Sequence, residues 1–288
     1  VSCSANLNLT HTLLSSLKLL LWYRQVKKII ISEGEGFEPP VGCKPTGDFK
    51  SPTFGHSVTP PQIYNIKAMP KLCIALDTDY DKAVELIKAL KNKPIIFKVG
   101  YKLFISYHRR ITDLIKREGF ELFLDLKLND IPNTIKDSVM SAAELGADYL
   151  TVHITSGREA LEEAVKVAKG IKLLGVTLLT SLEEDHVKGW GVCISKEDYI
   201  LNLASLALDC GIEGLVCSGK ELPLLKSKFN FFAVVPGVRL YGEPQDDQKR
   251  VVGIEEAIKN GADMIVMGRS ILKAEDPIRK VEEILALL

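Results

Sequence analysis

The sequence predicts a closed barrel of eight parallel strands, each followed by a helix, over residues 69–288. Three observations carry that expectation. Eight short apolar or β-branched runs recur along this stretch, helix-period segments separate them, and four junctions repeat a Gly-x-acid pattern just before a run. Strands that alternate with helices pair in parallel. Eight such units in about 220 residues close on themselves, as in a (β/α)8 or TIM barrel, more readily than they spread into an open doubly wound sheet.

Taken in order, the first run is Leu72–Leu76 and the second Ile95–Val99. Phe104, His108, Ile111 and Ile115 then recur at i, i+4, i+7 and i+11, the spacing of one helix face. Gly119-Phe-Glu precedes the third run, Leu122–Leu124, and Pro132 sets the first turn of the helix behind it. Gly146-Ala-Asp leads into Tyr149–Val152, the fourth. The fifth, Leu173–Leu179, is followed by a long segment holding His186, Trp190 and Cys193, in which no chemistry is evident. Gly211-Ile-Glu opens the sixth run, Leu215–Val216; Phe231–Val235 is the seventh; Gly261-Ala-Asp leads to the eighth, Met264–Met267. Each junction glycine falls where a helix should end in the left-handed conformation that glycine adopts without steric penalty.

Residues 1–68 read differently. They hold six of the thirteen prolines and carry seven Lys/Arg against four Asp/Glu, with no sustained period of 2 or 3.6. Leu13–Trp22 is apolar, but Lys18 interrupts it, and it is far short of the roughly 20 residues a membrane helix needs. A transit peptide is one reading, because the first 32 residues lack acids and contain Arg24, Lys27 and Lys28. A signal peptide fits poorly, since no small-residue cleavage site follows the apolar run. The favoured reading is translation begun upstream of a natural start at Met69, because Glu35–Pro61 resembles a translated transfer-RNA gene. In all three the segment is expected to be disordered or loosely attached, a non-catalytic extension ahead of a domain at 69–288.

The whole chain is 46% hydrophobic and 26% charged with a formal net charge of zero. That is a soluble globular composition with no overall pull toward nucleic acid or an anionic membrane. Six cysteines form no C-x-x-C pair and keep no histidine at zinc spacing, so a reducing cytoplasm without structural disulfides is expected.

In such a barrel the active site lies at the C-terminal ends of the strands. Read in order, those ends present Asp77, Lys98, Asp125 with Lys127, His153, Thr180, Ser218, Pro236 with Gly237, and Gly268 with Arg269. One charged strand end is unremarkable; their recurrence on one rim is not. Asp125 and Lys127 should share a face, because side chains alternate along a strand. Asp130 lies just beyond, so Lys127 is expected between two carboxylates that hold its proton in place. The loops after strands seven and eight, Pro236-Gly-Val-Arg239 and Met267-Gly-Arg-Ser270, occupy the usual phosphate position of this fold, and an arginine there suits phosphate oxygens. His153 has no second His or Cys beside it and is read as a hydrogen-bonding wall rather than a metal ligand.

The run Asp125-Leu-Lys-Leu-Asn-Asp-Ile-Pro-Asn-Thr134 can be taken together with Ala-Leu-Asp77, Phe-Lys-Val-Gly100, Leu-Thr-Ser181, Pro-Gly-Val-Arg239 and Gly-Arg-Ser270. So assembled, the chain resembles the bacterial orotidine 5′-phosphate decarboxylases across essentially all of residues 69–288. The Asp-x-Lys-x-x-Asp core alone is shared with sugar-phosphate decarboxylases and synthases of the same superfamily. The Asp-Ile-Pro-Asn-Thr continuation and Asp246-Asp-Gln248 narrow it. The resemblance implies a cofactor-free, metal-free decarboxylation of orotidine 5′-monophosphate to UMP in a homodimer with shared sites. It makes Lys127 the proton donor to C6 and sets Asp125 against the substrate carboxylate. Asp130 and Thr134 would reach into the neighbouring subunit's site. Asp77 and Lys98 would hold the ribose hydroxyls, and Thr180 or Ser181 would read the base. Gln248, Gly268 and Arg269 would hold the phosphate with Arg239 close by, under a lid formed by the segment after Pro236. Two rivals stand beside it: a magnesium-dependent sugar-phosphate decarboxylase or aldol synthase, and a non-catalytic phosphate-binding barrel.

Overall fold

A computed structural model describes residues 69–240 and 252–288. The expectations for residues 1–68 and for Gln248, and most of the expected lid, lie outside the described residues.

All eight expected strands form. They are β1 (Lys71–Ala75), β2 (Ile95–Val99), β3 (Glu121–Leu128), β4 (Tyr149–His153), β5 (Lys172–Val176), β6 (Gly214–Val216), β7 (Phe232–Pro236) and, last around the ring, β10 (Met264–Met267). They close a parallel barrel in the order β1-β10-β7-β6-β5-β4-β3-β2. Between them run α1 (Tyr80–Ala89), α2 (Tyr101–Arg117), α3 (Pro132–Glu144), α4 (Arg158–Val167), α5 (Glu184–Gly189), α6 (Lys196–Asp209), α7 (Leu222–Lys228), α8 (Ile254–Asn260), α9 (Arg269–Leu272) and α10 (Pro277–Leu285). The period of two divides each strand between two cores. Cys73, Ile96, Phe123, Leu174, Val234 and Met264 fill the barrel interior, while Leu72, Phe97, Leu122, Leu150 and Ile265 pack outward against the helices.

The junction glycines behave as their positions require: Gly119, Gly146, Gly211 and Gly261 have φ between 73° and 96°. The acid two residues later has its own task at the bottom of the barrel. Asp148 accepts from the Leu122 amide and from Lys116 Nζ, both at 2.6 Å. Asp263 repeats this on the other side, accepting from the Ala233 amide at 2.7 Å and Lys226 Nζ at 3.0 Å. The longer Glu121 and Glu213 instead take Lys71 and Lys172, the first residues of β1 and β5. Each acid thus ties its own strand to an earlier one or to the helix before it. Asp148→Ala or Asp263→Ala leaves a buried amide without its acceptor. A loss of roughly 1–3 kcal/mol is expected, with turnover per folded molecule unchanged, as denaturant unfolding and an active-site titration would read.

Four features depart from the sequence reading, the first being that β5 ends at Val176 rather than Leu179, which leaves Thr180 in the loop behind it. Helix α2 is broken at His108 (φ 37°, ψ −121°), so the buried face passes from Leu103 to Ile111, Leu114 and Ile115, and His108 is exposed. Two extra two-residue strands, β8 (Val238–Arg239) and β9 (Val252–Gly253), pair in parallel beside the barrel. Strand β3 runs four residues past its expected end at Leu124, and the register against β4 jumps from Leu124↔Leu150 to Leu128↔Val152. Four residues of β3 there oppose two of β4, which is a bulge.

Candidate active site

The bulge is where the chemistry gathers. Lys127 adopts φ 44°, a left-handed conformation that a side chain with a β-carbon enters only when its surroundings impose it. Asp125 and Lys127 meet as expected, Lys127 Nζ donating to Asp125 Oδ1 at 2.8 Å. The cause is the bulge and not simple alternation. Lys98, inward on β2, approaches the other carboxylate oxygen at 3.1 Å and lies 3.8 Å from Asp77 Oδ1. The result is a row of alternating charges, Asp77–Lys98–Asp125–Lys127. Lys127 is therefore not held between two carboxylates within this chain; Asp125 is held between two ammonium groups. Asp130 is exposed, and its carboxylate accepts from the Ile131 amide at 2.7 Å.

Electrostatics set the charge states of the buried members. Burial is the largest influence on Asp125 and would raise its pKa, but Lys98 and Lys127 together outweigh it, and the carboxyl is held below its ordinary value. Burial likewise works against the Lys98 ammonium, yet Asp125 and Asp77 prevail and its pKa rises. The sign for stability follows. A depressed folded pKa contributes stability that is present above the unfolded carboxylate value and lost as pH falls through the folded one. The stability difference between the native chain and Asp125→Asn, followed by thermal unfolding, is therefore expected to shrink as pH falls below about 4. A difference that grew with acid would contradict the assignment.

A cavity of about 200 Å³ opens over this row. Asp77, Lys98, Asp125 and Lys127 line it together with Thr180, Gly237, Arg239, Gly268 and Arg269. Apolar side chains from β5, β6, β7 and β10, including Val176, Val216 and Val266, close the floor. Of the described charged residues lining it, four are cations and two are carboxylates. Arg239 is buried and its Nη1 reaches Ser270 Oγ at 3.2 Å. A β-carbon on Gly268 would stand 3.3 Å from that of Ala75, so glycine lets β10 approach β1 at the cavity edge.

The other expected residues lie elsewhere. Ser181, next to Thr180, is exposed and outside the cavity wall. Asp130 and the exposed Thr134 line separate surface grooves. His153 does not reach the cavity as a hydrogen-bonding wall; its Nδ1 is buried without a partner, and burial, reinforced by Lys127, lowers its pKa. Two residues were missed. The Tyr101 ring stands 5.8 Å from Lys127 Nζ while its hydroxyl donates to the Leu126 carbonyl at 2.8 Å. Thr151, inward on β4 in phase with His153, bonds both Asp125 and Lys127. Strand phase alone could have marked Thr151. Among the described residues no group of three or more His, Cys, Asp and Glu could hold a metal, and no helix is long and apolar enough to cross a membrane.

An eight-stranded barrel whose rim cavity holds a row of alternating ammonium and carboxylate groups together with two arginines defines the class: a barrel enzyme with a site suited to an anionic small molecule. The chain belongs to the Orotidine 5'-phosphate decarboxylase / HUMPS family, which it matches over residues 70–284. It is 39% identical over 228 residues to the orotidine 5'-phosphate decarboxylase of Aquifex aeolicus, covering 76% of this chain and 99% of that one. It is 42% identical over 226 residues to that of Methylacidiphilum infernorum, covering 76% and 97%. Among solved structures, the Lactobacillus acidophilus orotidine 5'-phosphate decarboxylase superposes with a TM-score of 0.67 at 28% identity, covering 76% of this chain and 98% of that one.

Proposed function

We propose that this chain decarboxylates orotidine 5′-monophosphate to UMP, the last step of de novo UMP synthesis, with no metal or organic cofactor. The observation that carries this reading is the row Asp77–Lys98–Asp125–Lys127, set in one cavity with Arg239 and Arg269. The C6–carboxylate bond breaks, carbon dioxide departs, and the electron pair stays on C6. The Lys127 ammonium gives its proton to that carbon and is reprotonated from solvent, so atoms and charge balance. Asp125, kept ionised by its two lysines, stands against the substrate carboxylate and favours its loss. Asp77 and Lys98 hold the ribose hydroxyls, Thr180 or Ser181 reads the base, with Thr180 the one on the cavity wall, and Gly268, Arg269 and Gln248 take the phosphate beside Arg239. The phosphate does not react, so its binding free energy is available for positioning the ring.

Asp130 and Thr134 act in the site of a second copy, which makes the protein a two-fold homodimer. Their exposure outside the cavity supports this, as do the exposed apolar side chains of Ile131 and Met140 beside them. The four described cysteines are free, in keeping with a cytoplasmic location. Residues 69–288 form the catalytic domain and 1–68 a non-catalytic extension. The test is loss of orotate absorbance when orotidine 5′-monophosphate meets the full chain in EDTA. Rapid loss supports the reading, and no loss overturns it.

A further inference from the structure

The bulge in β3 leaves a question of backbone bonding that one side chain answers. Where the β3–β4 register jumps, Thr151 is the β4 residue facing the extra length of chain. Lys127 has no partner residue on β4 in the ladder there, and its amide donates to Thr151 Oγ1 at 2.8 Å. The same hydroxyl donates its proton to Asp125 Oδ1 at 3.1 Å, and that oxygen also receives Lys127 Nζ at 2.8 Å. These bonds form a ring whose corners are the backbone and the side-chain end of Lys127, the Asp125 carboxylate and the Thr151 hydroxyl. Thr151 is fully buried and is not part of the cavity wall, so it does not face a ligand. A hydroxyl accepts and donates at once, and branching at the β-carbon limits it to few rotamers. Valine keeps the shape and loses both bonds; serine keeps both bonds and loses stiffness.

Resting on the decarboxylase reading above, we infer that Thr151 is a positioning residue. It holds Lys127 in its left-handed conformation and orients Asp125, and thereby sets where the transferable proton stands. A charged group that loses one aligned hydrogen bond changes a rate on the order of 10- to 100-fold. Thr151→Val is therefore expected to lower kcat on orotidine 5′-monophosphate by that factor with KM within about twofold. Thr151→Ser should recover kcat to within about threefold of the native chain. A purely structural threonine would lower the melting temperature of the variants and leave kcat per folded site unchanged. That result, or a serine variant as slow as the valine one, overturns the inference.

A crystal structure of Thr151→Val gives a reading independent of activity. The inference expects the Lys127 Nζ–Asp125 separation to open beyond hydrogen-bond distance or the φ of Lys127 to leave the positive region; unchanged geometry overturns it. A native chain inactive on orotidine 5′-monophosphate overturns the decarboxylase reading, and the crystal comparison still decides the role of Thr151.

Discussion

Lys127→Ala is expected to lower kcat about 10⁴-fold or more while UMP binds within a few-fold of its native affinity. A positioned general acid contributes roughly 10²–10⁴-fold by itself, and here no cofactor is proposed to stabilise the carbanion in its place. Alanine meets the same restriction at φ 44° as lysine does, so the substitution alters chemistry rather than strain. Asp125 keeps Lys98 at 3.1 Å and is not left as a lone buried charge. Single-turnover rates and calorimetric titration with UMP would measure the two quantities. A variant keeping more than about a hundredth of the native rate would remove Lys127 from the role of proton donor.

The second large effect is a gain. Asp125→Ala and Asp130→Ala chains are each expected to be nearly inactive alone, yet active when mixed under conditions that exchange subunits. If each site takes Asp125 from one copy and Asp130 from the other, a mixed dimer has one site with both carboxylates and one with neither. With random reassortment half the dimers are mixed, so about a quarter of native activity should return. The premise is geometric: Asp125 lines the cavity, whereas Asp130 is exposed in a groove with Ile131, Pro132 and Arg158. No recovery, with mixed dimers demonstrated by mass spectrometry, would place both carboxylates in one chain's site.

How far the sequence alone reached can be judged from particular residues. The eight strands were legible because parallel strands buried on both faces read as short apolar runs, and the junction glycines punctuate them. Asp77, Lys98, Asp125, Lys127, Thr180, Arg239, Gly268 and Arg269 lie at or just beyond the C-terminal ends of apolar runs and do line one cavity. Asp125 and Lys127 do meet, but the bulge brings them together rather than the alternation of a regular strand. Nothing local announces the bulge: the residue at φ 44° is a lysine, where a glycine or asparagine would have signalled a left-handed turn. Its conformation is supported by Thr151, 24 positions away, and a contact of that range leaves no mark in local pattern. The break at His108 is equally silent, because Phe104, His108, Ile111 and Ile115 keep the helix period straight through it. Strands β8 and β9 are two residues long and their partners stand far apart in the chain, too little for any periodicity to register.

The four cations and two carboxylates of the cavity also bear on how a ligand arrives. The chain as a whole carries no formal net charge, so at long range it neither attracts nor repels an anion. Around the cavity, Lys98, Lys127, Arg239 and Arg269 outnumber Asp77 and Asp125, and the low-dielectric barrel wall concentrates their field outward. That field fades over about 10 Å at 0.1 M salt. An anionic ligand is therefore drawn in only over about its own length at the end of its approach, and an uncharged molecule of the same shape meets the opening by chance alone.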